Sequence, residues 1–291
     1  MSEVVIVAPL VLDDVETPAG SYRGEPGGSA TYAALAARDF APTAIAAVVG
    51  EDFPTAFLDR LEGIDRSRVE RVSGRSFRWG AEHRADGSTE TRVNDPGATR
   101  SRTPRLGDLA DAYVLVGALE PALQERVGPA RFIAIDTMPC HIDEDAPRLR
   151  RALAGADVAF LTLDEAEALA GSRQPEAIRR RLGTRLLVLK LGAHGALVCE
   201  EDGSFRVEAY PTEVVDPTGA GDAFAGAFVA TLAERDRRDA DTLWLAARRG
   251  AAAASLAIED FGPRRLERAG KWEIERRAEA LLAAEIASNP R

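Results

Sequence analysis

Nine consecutive residues, DPTGAGDAF at 216–224, combine a glycine-rich turn, a carboxylate and the start of an apolar helix pattern. The first turn of a helix leaves backbone N–H groups without partners, and the helix dipole adds partial positive charge there. Because Gly219 and Gly221 have no Cβ atom, an anion such as a phosphoryl group can approach this backbone closely. Asp222 would oppose simple anion binding. Its position instead indicates a base that takes a proton from a hydroxyl attacking phosphorus.

A second glycine-rich segment, GGSATYAA at 27–34, opens a helix pattern near the N-terminus. Together with DPTGAGDAFAGAF it resembles the two signatures of the PfkB, or ribokinase-like, family of carbohydrate and nucleoside kinases. The segments stand in the order and at the separation typical of that family, and the resemblance covers nearly the whole chain. It implies an α/β, ribokinase-like fold with three layers, in which a mostly parallel central sheet has helices on both faces and a small β lid is added.

The resemblance also implies the roles of the turn at 216–222. Asp222 would be the catalytic base, and the backbone N–H groups of Gly219, Ala220 and Gly221 would form the anion hole for the transferred phosphoryl oxygens. Preorganised donors of this kind are usually the largest catalytic contribution. Thr218 is assigned to the bound nucleotide. An aspartate N-cap with a glycine turn is the alternative for this segment alone, and the second signature disfavours it.

Two acidic residues open a helix directly after a strand pattern in LTLDEA, residues 161–166. The segment resembles the family's Asn-x-x-Glu motif, which implies that Glu165 supports Mg²⁺, an ion that prefers oxygen ligands and retains waters. Thr162 replaces the asparagine of that motif and is assigned to the nucleotide side of the site. The alternative is a helix start with acidic residues in its first turn, which the helix dipole favours.

The segment KLGAHG, residues 190–195, ends a strand pattern and forms a glycine turn. In the resembled family a similar turn lies beside the nucleotide phosphates, so Gly192 and Gly195 are assigned to ATP. Lys190, where the family pattern has threonine, is one of only two lysines in the chain. It would neutralise phosphate charge, or it would be a strand-end lysine that extends to solvent.

Four residues are assigned to the acceptor substrate. Asp13 follows the first strand pattern, at the edge where open α/β sheets bind ligands, and Asp14 is the alternative. Gly28 would let the substrate approach its backbone, and Asp136 ends another strand pattern that faces the same side. Tyr32 stands where many relatives have a substrate-binding asparagine, and this departure disfavours simple assignment to ribose or fructose.

The elements that must position these residues follow from apolar periodicity. Short apolar runs bounded by turn residues predict buried strands, and helix-period segments between them predict a parallel sheet covered on both faces. The sequence Glu-Asp-Gly at 201–203 predicts a hairpin. The predicted strands are 4–9, 44–50, 112–119, 131–137, 158–163, 186–191, 195–200 and 204–210; the predicted helices are 29–39, 146–154, 164–170, 223–234, 242–257 and 270–288.

A polar, strand-like stretch at 69–93, with an Asp-Gly turn at 86–87, interrupts this alternation. With residues from about 10 to 25 it would form the small β lid that the resemblance implies, and a homodimer contact through that lid is expected. Arg78 and Trp79 would close over a hydroxylated ring. Residues 1–291 would form a single domain that includes the lid.

Composition excludes several classes of protein. A net charge of −10 and a pI near 5.0 argue against a nucleic-acid-binding protein. The chain has no apolar run of the ~20 residues that a membrane-spanning helix needs, and no basic segment precedes the first apolar run, so a cytoplasmic protein is expected. Two cysteines make no disulfide framework, and three scattered histidines show no zinc-like spacing.

These residues predict an ATP- and Mg²⁺-dependent kinase that transfers the γ-phosphoryl group to a hydroxyl of a small polyol, meaning a sugar, a nucleoside or a cyclitol. Two alternatives stay open. A phosphosugar kinase would need a second phosphate pocket, for which arginines between 71 and 105 are candidates. A non-catalytic sugar or nucleotide sensor would have no need of Asp222. A Rossmann dehydrogenase is disfavoured, because no G-x-G-x-x-G follows the first strand.

Overall fold

The computed structural model describes residues 1–288 of the chain. The strands in this part are β1 Val4–Val7, β2 Val11–Thr17, β3 Gly20–Gly27, β4 Thr43–Gly50, β5 Ile64–Val72, β6 Arg78–His83, β7 Thr89–Asp95, β8 Tyr113–Val116, β9 Phe132–Asp136, β10 Val158–Thr162, β11 Leu186–Lys190, β12 Ala196–Cys199 and β13 Ser204–Val207. The helices are α1 Ser29–Ala37, α2 Thr55–Arg60, α3 Pro121–Gln124, α4 Pro139–Ala154, α5 Leu163–Ala170, α6 Pro175–Leu182, α7 Ala220–Arg235, α8 Ala240–Ala257, α9 Arg264–Arg268 and α10 Lys271–Ser288. Short 3₁₀ turns lie at Gly97–Thr99 and Gly192–His194.

Nine strands form the large central sheet in the order β13-β12-β11-β10-β9-β8-β1-β4-β5. The pairs from β11 through to β5 are parallel, and β12 and β13 add antiparallel strands at one edge. Parallel strands end at the same edge, so the carboxyl ends of β1, β9, β10 and β11 lie side by side. The residues assigned to the site from the sequence follow or terminate these strands.

Each face of the sheet is covered by helices and has its own apolar core. Along β1, Val4 and Ile6 pack with α1, α7 and α8 on one face, and Val5 and Val7 pack with α4, α5 and α6 on the other. This alternation follows from the two-residue period of a strand. The predicted three-layer α/β fold is therefore confirmed.

Four further strands form a small sheet in the order β3-β2-β6-β7. Strand β2 follows β1 after only three residues, so the small sheet stands at the carboxyl edge of the large one. The expectation that the lid includes residues 69–72 is wrong, because they belong to β5 at the edge of the large sheet. An edge strand has a partly solvated surface, and the polar sequence IDRSRVERV lacks the apolar run that marked the buried strands.

The six predicted helices are present, and α2, α3, α6 and α9 are further helices that were not predicted. Two differences affect the site. Helix α7 begins at Ala220, three residues earlier than expected, so Asp222 lies in its first turn. Helix α4 begins at Pro139 and contains a non-helical residue, Asp145, before Pro147, which adds a turn after β9. In residues 1–288 no helix combines the length and apolar character of a bilayer-spanning segment.

Candidate active site

The turn that enters α7 is held by a fully buried carboxylate. Asp216 accepts hydrogen bonds from Thr218 N (3.0 Å), Gly262 N (3.1 Å) and the hydroxyl of Tyr22 (2.9 Å), and its exposure is 0%. Gly219, with φ of 78°, is the last residue before the helix. Three donors on one carboxylate fix the turn that leads into α7, the segment where the anion hole is predicted. In this turn Ala220 N donates to Pro217 O at 3.4 Å.

The side chain of Asp222 lies in a cluster of charges. Burial and, next, the nearby carboxylate of Asp136 together raise the pKa of Asp222 to about 7, although the ammonium of Lys190 opposes both effects. A carboxylate with a pKa near 7 is a stronger base than an ordinary aspartate and is substantially ionised at neutral pH. The electrostatics therefore suit the predicted role of Asp222 as a general base.

Lys190 and Asp136 form an ion pair at the carboxyl ends of their strands. Lys190 Nζ lies 2.6 and 2.8 Å from the two carboxylate oxygens of Asp136, and the side chains are 17% and 6% exposed. Burial alone would lower the pKa of Lys190, but Asp136 and Glu165 reverse that effect and the pKa is raised. Lys190 is therefore a fixed cation, not a lysine that extends to solvent. Its Nζ lies 3.1 Å from where a Cβ on Gly221 would be.

Glu165 and Thr162 form a capping box at the start of α5. The side chain of Glu165 accepts from Thr162 N at 2.7 Å, and Thr162 Oγ1 accepts from Glu165 N at 3.3 Å. Glu165 is 4% exposed, and burial raises its pKa, with Lys190 opposing the effect. The helix-start alternative thus describes the local structure correctly, and Thr162 faces Glu165 rather than either large cavity described below.

The donor set is compatible with Mg²⁺ held jointly with a nucleotide. Asp136 lines the pocket described next, whereas Glu165 is buried near Lys190 and Asp136 and lines neither large cavity. Mg²⁺ is commonly held by one or two carboxylates together with phosphate oxygens and water. Within residues 1–288, no group of three or more His, Cys, Asp or Glu side chains is arranged to hold a metal ion, so phosphate oxygens and water would have to complete its coordination.

A pocket of about 230 Å³, here called the acceptor pocket, lies between the small sheet and the carboxyl edge of the large sheet. Its walls include Asp222, Gly219, Gly221, Lys190 and Asp136. Within residues 1–288, four of its lining residues have a buried polar atom without a hydrogen-bond partner: Ser29 Oγ, Tyr32 OH, Trp79 Nε1 and His141 Nδ1. Buried polar groups are nearly always paired, so this pocket is suited to a ligand with several hydrogen-bonding groups.

Asp13 faces the acceptor pocket and Asp14 does not. Asp13 Oδ2 accepts from Gly28 N at 3.2 Å, and both residues line the pocket. The pKa of Asp13 is raised to about 8, mainly by burial; the hydrogen bond from Gly28 opposes the rise, and the nearby carboxyl groups of Asp216 and Asp222 add to it. Asp14 lies on the opposite face of β2 and accepts from Gly24 N at 2.6 Å. The structure thus selects Asp13 from the two candidates, because successive side chains of a strand point to opposite faces.

A second cavity, of about 470 Å³, lies on the other side of the turn at 216–222. It is mostly apolar and includes Gly192, Gly195, Pro217, Ala220 and Phe224. Here it is called the nucleotide cavity, since a planar ring suits apolar walls and the turn lies at its end. Thr218 lines the acceptor pocket instead, and its Oγ1 lies 3.0 Å from His83 Nε2 on the small sheet.

The small sheet contributes Trp79 to the acceptor pocket but not Arg78. The guanidinium of Arg78 lies 3.3 Å from Asp52 Oδ2, outside the pocket walls, so the expectation that Arg78 closes over a substrate ring is wrong. Arg78 follows the strand alternation and points to the opposite side from Trp79. Contacts of the small sheet with the turn come from Tyr22 and His83 instead.

Three participants were not assigned from the sequence. Asp216 is buried beneath the turn, Ser29 starts α1, and His141 lies in the first turn of α4. The aspartate that begins DPTGAGD is a signal for an anchored turn, because aspartate side chains bond to backbone two residues ahead. Ser29 and His141 have no local pattern that marks them, since their role depends on which strands become neighbours.

A family model described as pfkB family carbohydrate kinase matches residues 5–268. A cytidine kinase of Thermococcus kodakarensis is 30% identical over 250 residues, which cover 79% of this chain and 88% of that protein. An aminoimidazole riboside kinase of Salmonella typhimurium is 34% identical over 123 residues, covering 41% and 39% of the two chains.

Solved structures with the same fold have lower identity. A Burkholderia thailandensis nucleoside kinase in complex with inosine superimposes with a TM-score of 0.79 at 22% identity, covering 96% of this chain and 99% of that one. The Salmonella enterica aminoimidazole riboside kinase, with aminoimidazole riboside and an ATP analog, gives a TM-score of 0.76 at 22% identity, with 95% and 100% covered. At this identity the likeness supports the fold alone.

Proposed function

The chain belongs to the pfkB family of carbohydrate kinases, and we propose that it transfers the γ-phosphoryl group of ATP to a hydroxyl of a small polyol, with Asp222 as the base. Membership confirms the prediction of a phosphotransferase that acts on an alcohol group. The acceptor and the roles of individual residues are the proposal.

One arrangement carries this proposal: the turn at 216–222 separates the two cavities. Gly219, Gly221 and Asp222 line the acceptor pocket, while Pro217 and Ala220 line the nucleotide cavity. A phosphoryl group passing from one cavity to the other would cross the N–H groups at the start of α7. Donor, anion hole and acceptor would then be in line, as phosphoryl transfer requires.

Asp222 removes the proton of the acceptor hydroxyl as the oxygen attacks phosphorus. Its raised pKa matches that task, and a positioned base contributes ~10²–10⁴-fold to such reactions. The N–H groups of Gly219, Ala220 and Gly221 hold the equatorial phosphoryl oxygens in fixed directions. Because Asp216 fixes their turn, the donors need no rearrangement during the reaction.

Lys190 supplies positive charge next to the anion hole. In this structure the ammonium group of Lys190 is paired with Asp136, and a bound phosphate would be its second partner. Glu165, with Asp136 beside it, would hold Mg²⁺ through oxygen or water contacts, and the ion would shield phosphate charge when bound. Gly192 and Gly195 leave space for the nucleotide on the opposite side of the turn.

Asp13 and Tyr32 orient the acceptor. Asp13 is fixed by Gly28 N and faces Asp222 across the pocket, where a carboxyl group binds substrate hydroxyls. The hydroxyl of Tyr32 is buried near that of Tyr22 and has no partner at normal hydrogen-bond geometry within residues 1–288, so a substrate hydroxyl would be its partner. Tyr32 stands where many relatives of the resembled family have asparagine, and together Asp13 and Tyr32 favour an acceptor that has at least two hydroxyl groups.

A sensor is the second candidate, and the charge cluster disfavours it. Asp222, Asp136 and Asp13 are three carboxyl groups around one pocket, and burial penalises the charge of Asp222 and Asp13. A protein that only binds its ligand gains nothing from a buried base near an anion hole. A cytoplasmic location, where ATP is available, and a homodimer through the small sheet are further proposals.

The test is ADP release by the purified protein with MgATP across sugars, nucleosides, cyclitols and sugar phosphates. We expect one class of acceptor to stimulate ADP release far above the rate with ATP alone, with phosphorylated product detected by mass spectrometry. If ATP binds but no acceptor stimulates ADP release, whether or not that acceptor binds, the kinase proposal is wrong and the sensor is supported.

A further inference from the structure

A smaller cavity of about 140 Å³ continues from the acceptor pocket, away from the catalytic turn. The two share six lining residues, Pro9, Phe77, Asn94, Ala118, Cys140 and His141, so one molecule can occupy both. This space, here called the outer cavity, lies over the carboxyl ends of β1, β4 and β8 and is bounded by residues 96–104. The acceptor pocket is therefore open to substrates longer than a single sugar ring.

His141 is the buried polar residue at the junction of the two cavities. Its side chain is 8% exposed, and Nδ1 has no hydrogen-bond partner in residues 1–288. Burial lowers the pKa of His141 to about 4, so the ring is neutral at pH 7. A neutral imidazole offers one N–H donor and one acceptor nitrogen. An unpaired ring nitrogen buried against a cavity wall is unfavourable unless a ligand pairs with it.

The remaining walls of the outer cavity suit a flat, uncharged ring. Val48, Phe77, Leu119 and Leu123 are apolar and surround the space next to His141. A second sugar, with hydroxyl groups on all sides, would leave most of them unpaired against these walls. A heterocycle presents apolar faces and a polar edge, and the edge would meet His141.

The charges at the far end of the outer cavity do not suit a phosphate group. Arg100 and Arg102 line it, but so do Glu120 and Glu144, so positive charge is not in excess. Arg102 donates to Ala98 O at 2.8 Å, and Glu120 accepts twice from Ser101 N at 3.0 and 3.2 Å. Those contacts hold the segment that bounds the cavity. The phosphosugar alternative is thus disfavoured at the place where its second phosphate would lie.

We propose that His141 is the specificity-determining residue for the acceptor: it hydrogen bonds with the heterocyclic base of a nucleoside whose sugar hydroxyl reaches Asp222. This inference rests on the proposed kinase function and names the class of acceptor. The sugar occupies the acceptor pocket between Asp13 and Asp222, and the base occupies the outer cavity. A free pentose fills the first space and leaves His141 unpaired.

Two variants of His141 test the assignment with paired substrates. His141→Leu removes both ring nitrogens, and because Nδ1 is unpaired in the protein its loss should not impair folding. His141→Asn keeps a hydrogen-bonding atom near the position of Nδ1. We expect His141→Leu to lower kcat/KM for the best nucleoside by about 10- to 100-fold, mainly through KM. The loss for the corresponding free pentose should be at least about fivefold smaller than the loss for the nucleoside, and His141→Asn should retain most of the nucleoside activity.

Equal losses for nucleoside and pentose in His141→Leu, or no loss for the nucleoside, would overturn the inference. So would a wild-type preference for free sugars or sugar phosphates over purine and pyrimidine nucleosides. Calorimetric titration of nucleosides in the absence of ATP separates the two proposals. Nucleoside binding that depends on His141, without ADP release from any acceptor, would contradict the proposed kinase function and support the proposed role of His141. Kinase activity on a free sugar, without nucleoside binding, would support the kinase function and contradict the role of His141.

Discussion

Replacing Gly219 by alanine would place a methyl group inside the ring of Tyr32. A Cβ built on Gly219 overlaps Cγ, Cδ1 and Cδ2 of Tyr32, whereas favourable carbon contacts are ~3.5–4.0 Å. Tyr32 is 1% exposed in the core, so the ring cannot rotate away. Gly219 also has φ of 78°, which disfavours any residue with a side chain. The turn that we propose as the anion hole therefore packs directly on Tyr32.

The expected loss can be separated into two contributions with a matched glycine. Gly63 has φ of 75° and no atom within 4 Å of its built Cβ, and it lies outside the site. Gly63→Ala should lower the free energy of unfolding by ~1 kcal/mol, the cost of left-handed backbone alone. Gly219→Ala adds overpacking of ~1–3 kcal/mol, for a total loss of ~2–4 kcal/mol.

Activity should fall as well, because relief of the overlap moves the N–H donors of the turn. A displacement of about 1 Å at a catalytic group can reduce turnover by ~10²-fold. Urea denaturation and ADP release, measured on Gly219→Ala, Gly63→Ala and wild type, give both quantities. Adding Tyr32→Leu to Gly219→Ala should recover part of the lost stability, since the smaller side chain leaves room for the methyl group.

Equal stability of Gly219→Ala and Gly63→Ala would refute this reasoning, since both share the backbone conformation and differ in the overlap with Tyr32. A Gly219→Ala protein with wild-type turnover would show that the position of the turn does not limit the reaction.

Three further predictions concern the charge cluster. Burial and Asp136 raise the pKa of Asp222 to about 7, so kcat/KM for the acceptor should rise from about pH 6 to pH 8 and then level off. The same shift should make the folded state lose stability as pH rises from about 4 to 7, and a flat curve of stability against pH in that window would contradict the shift. Glu165→Gln keeps the capping geometry and removes the charge, so the Mg²⁺ requirement should increase at unchanged thermal stability, whereas Thr162→Ala should cost ~1 kcal/mol of stability. If Mg²⁺ titrations of Glu165→Gln are unchanged and its melting temperature falls, Glu165 has a purely structural role. Lys190→Met leaves Asp136 buried without its cation, so it should lower stability by ~3–5 kcal/mol and raise the KM for ATP, and unchanged melting and ATP kinetics would exclude that role for Lys190.

The sequence predicted the central sheet and the glycine turn that enters α7 because their signals are local. Each buried parallel strand is a short apolar run, and the turn needs glycine and aspartate at fixed offsets. Strand β5 escaped prediction, since an edge strand has solvent on one side and its residues read as polar. The same polarity placed residues 69–72 in the lid.

The charge cluster could be predicted only in part. Asp136, Glu165 and Lys190 were each singled out, but their proximity depends on the order β9-β10-β11 in the sheet. The sequence allows two interpretations of Lys190, a phosphate ligand or a solvated lysine. The 2.6 Å contact with Asp136 places Lys190 in the charge cluster. For Arg78 the sequence prediction was wrong. Arg78 is adjacent to Trp79, but the side chains of β6 alternate in direction, so Arg78 points away from the acceptor pocket.

His141 had no sequence signal at all. A single histidine after a strand is most often structural, and the sequence gives no measure of an unpaired nitrogen. Its significance arises from three elements, α4, β6 and β7, whose residues enclose the same space. Long-range packing of this kind is not encoded in any one segment.

The most direct test of the account is phosphoryl transfer by Asp222→Asn. The amide has nearly the same shape as the carboxylate but cannot accept the acceptor's proton, so ATP should still bind with close to wild-type affinity while turnover falls by ~10²–10⁴-fold. ATP binding measured by calorimetry, beside ADP release with the best acceptor, gives both values on one preparation. Near wild-type turnover in Asp222→Asn would contradict the assignment of Asp222 as the base and, with it, the proposed mechanism.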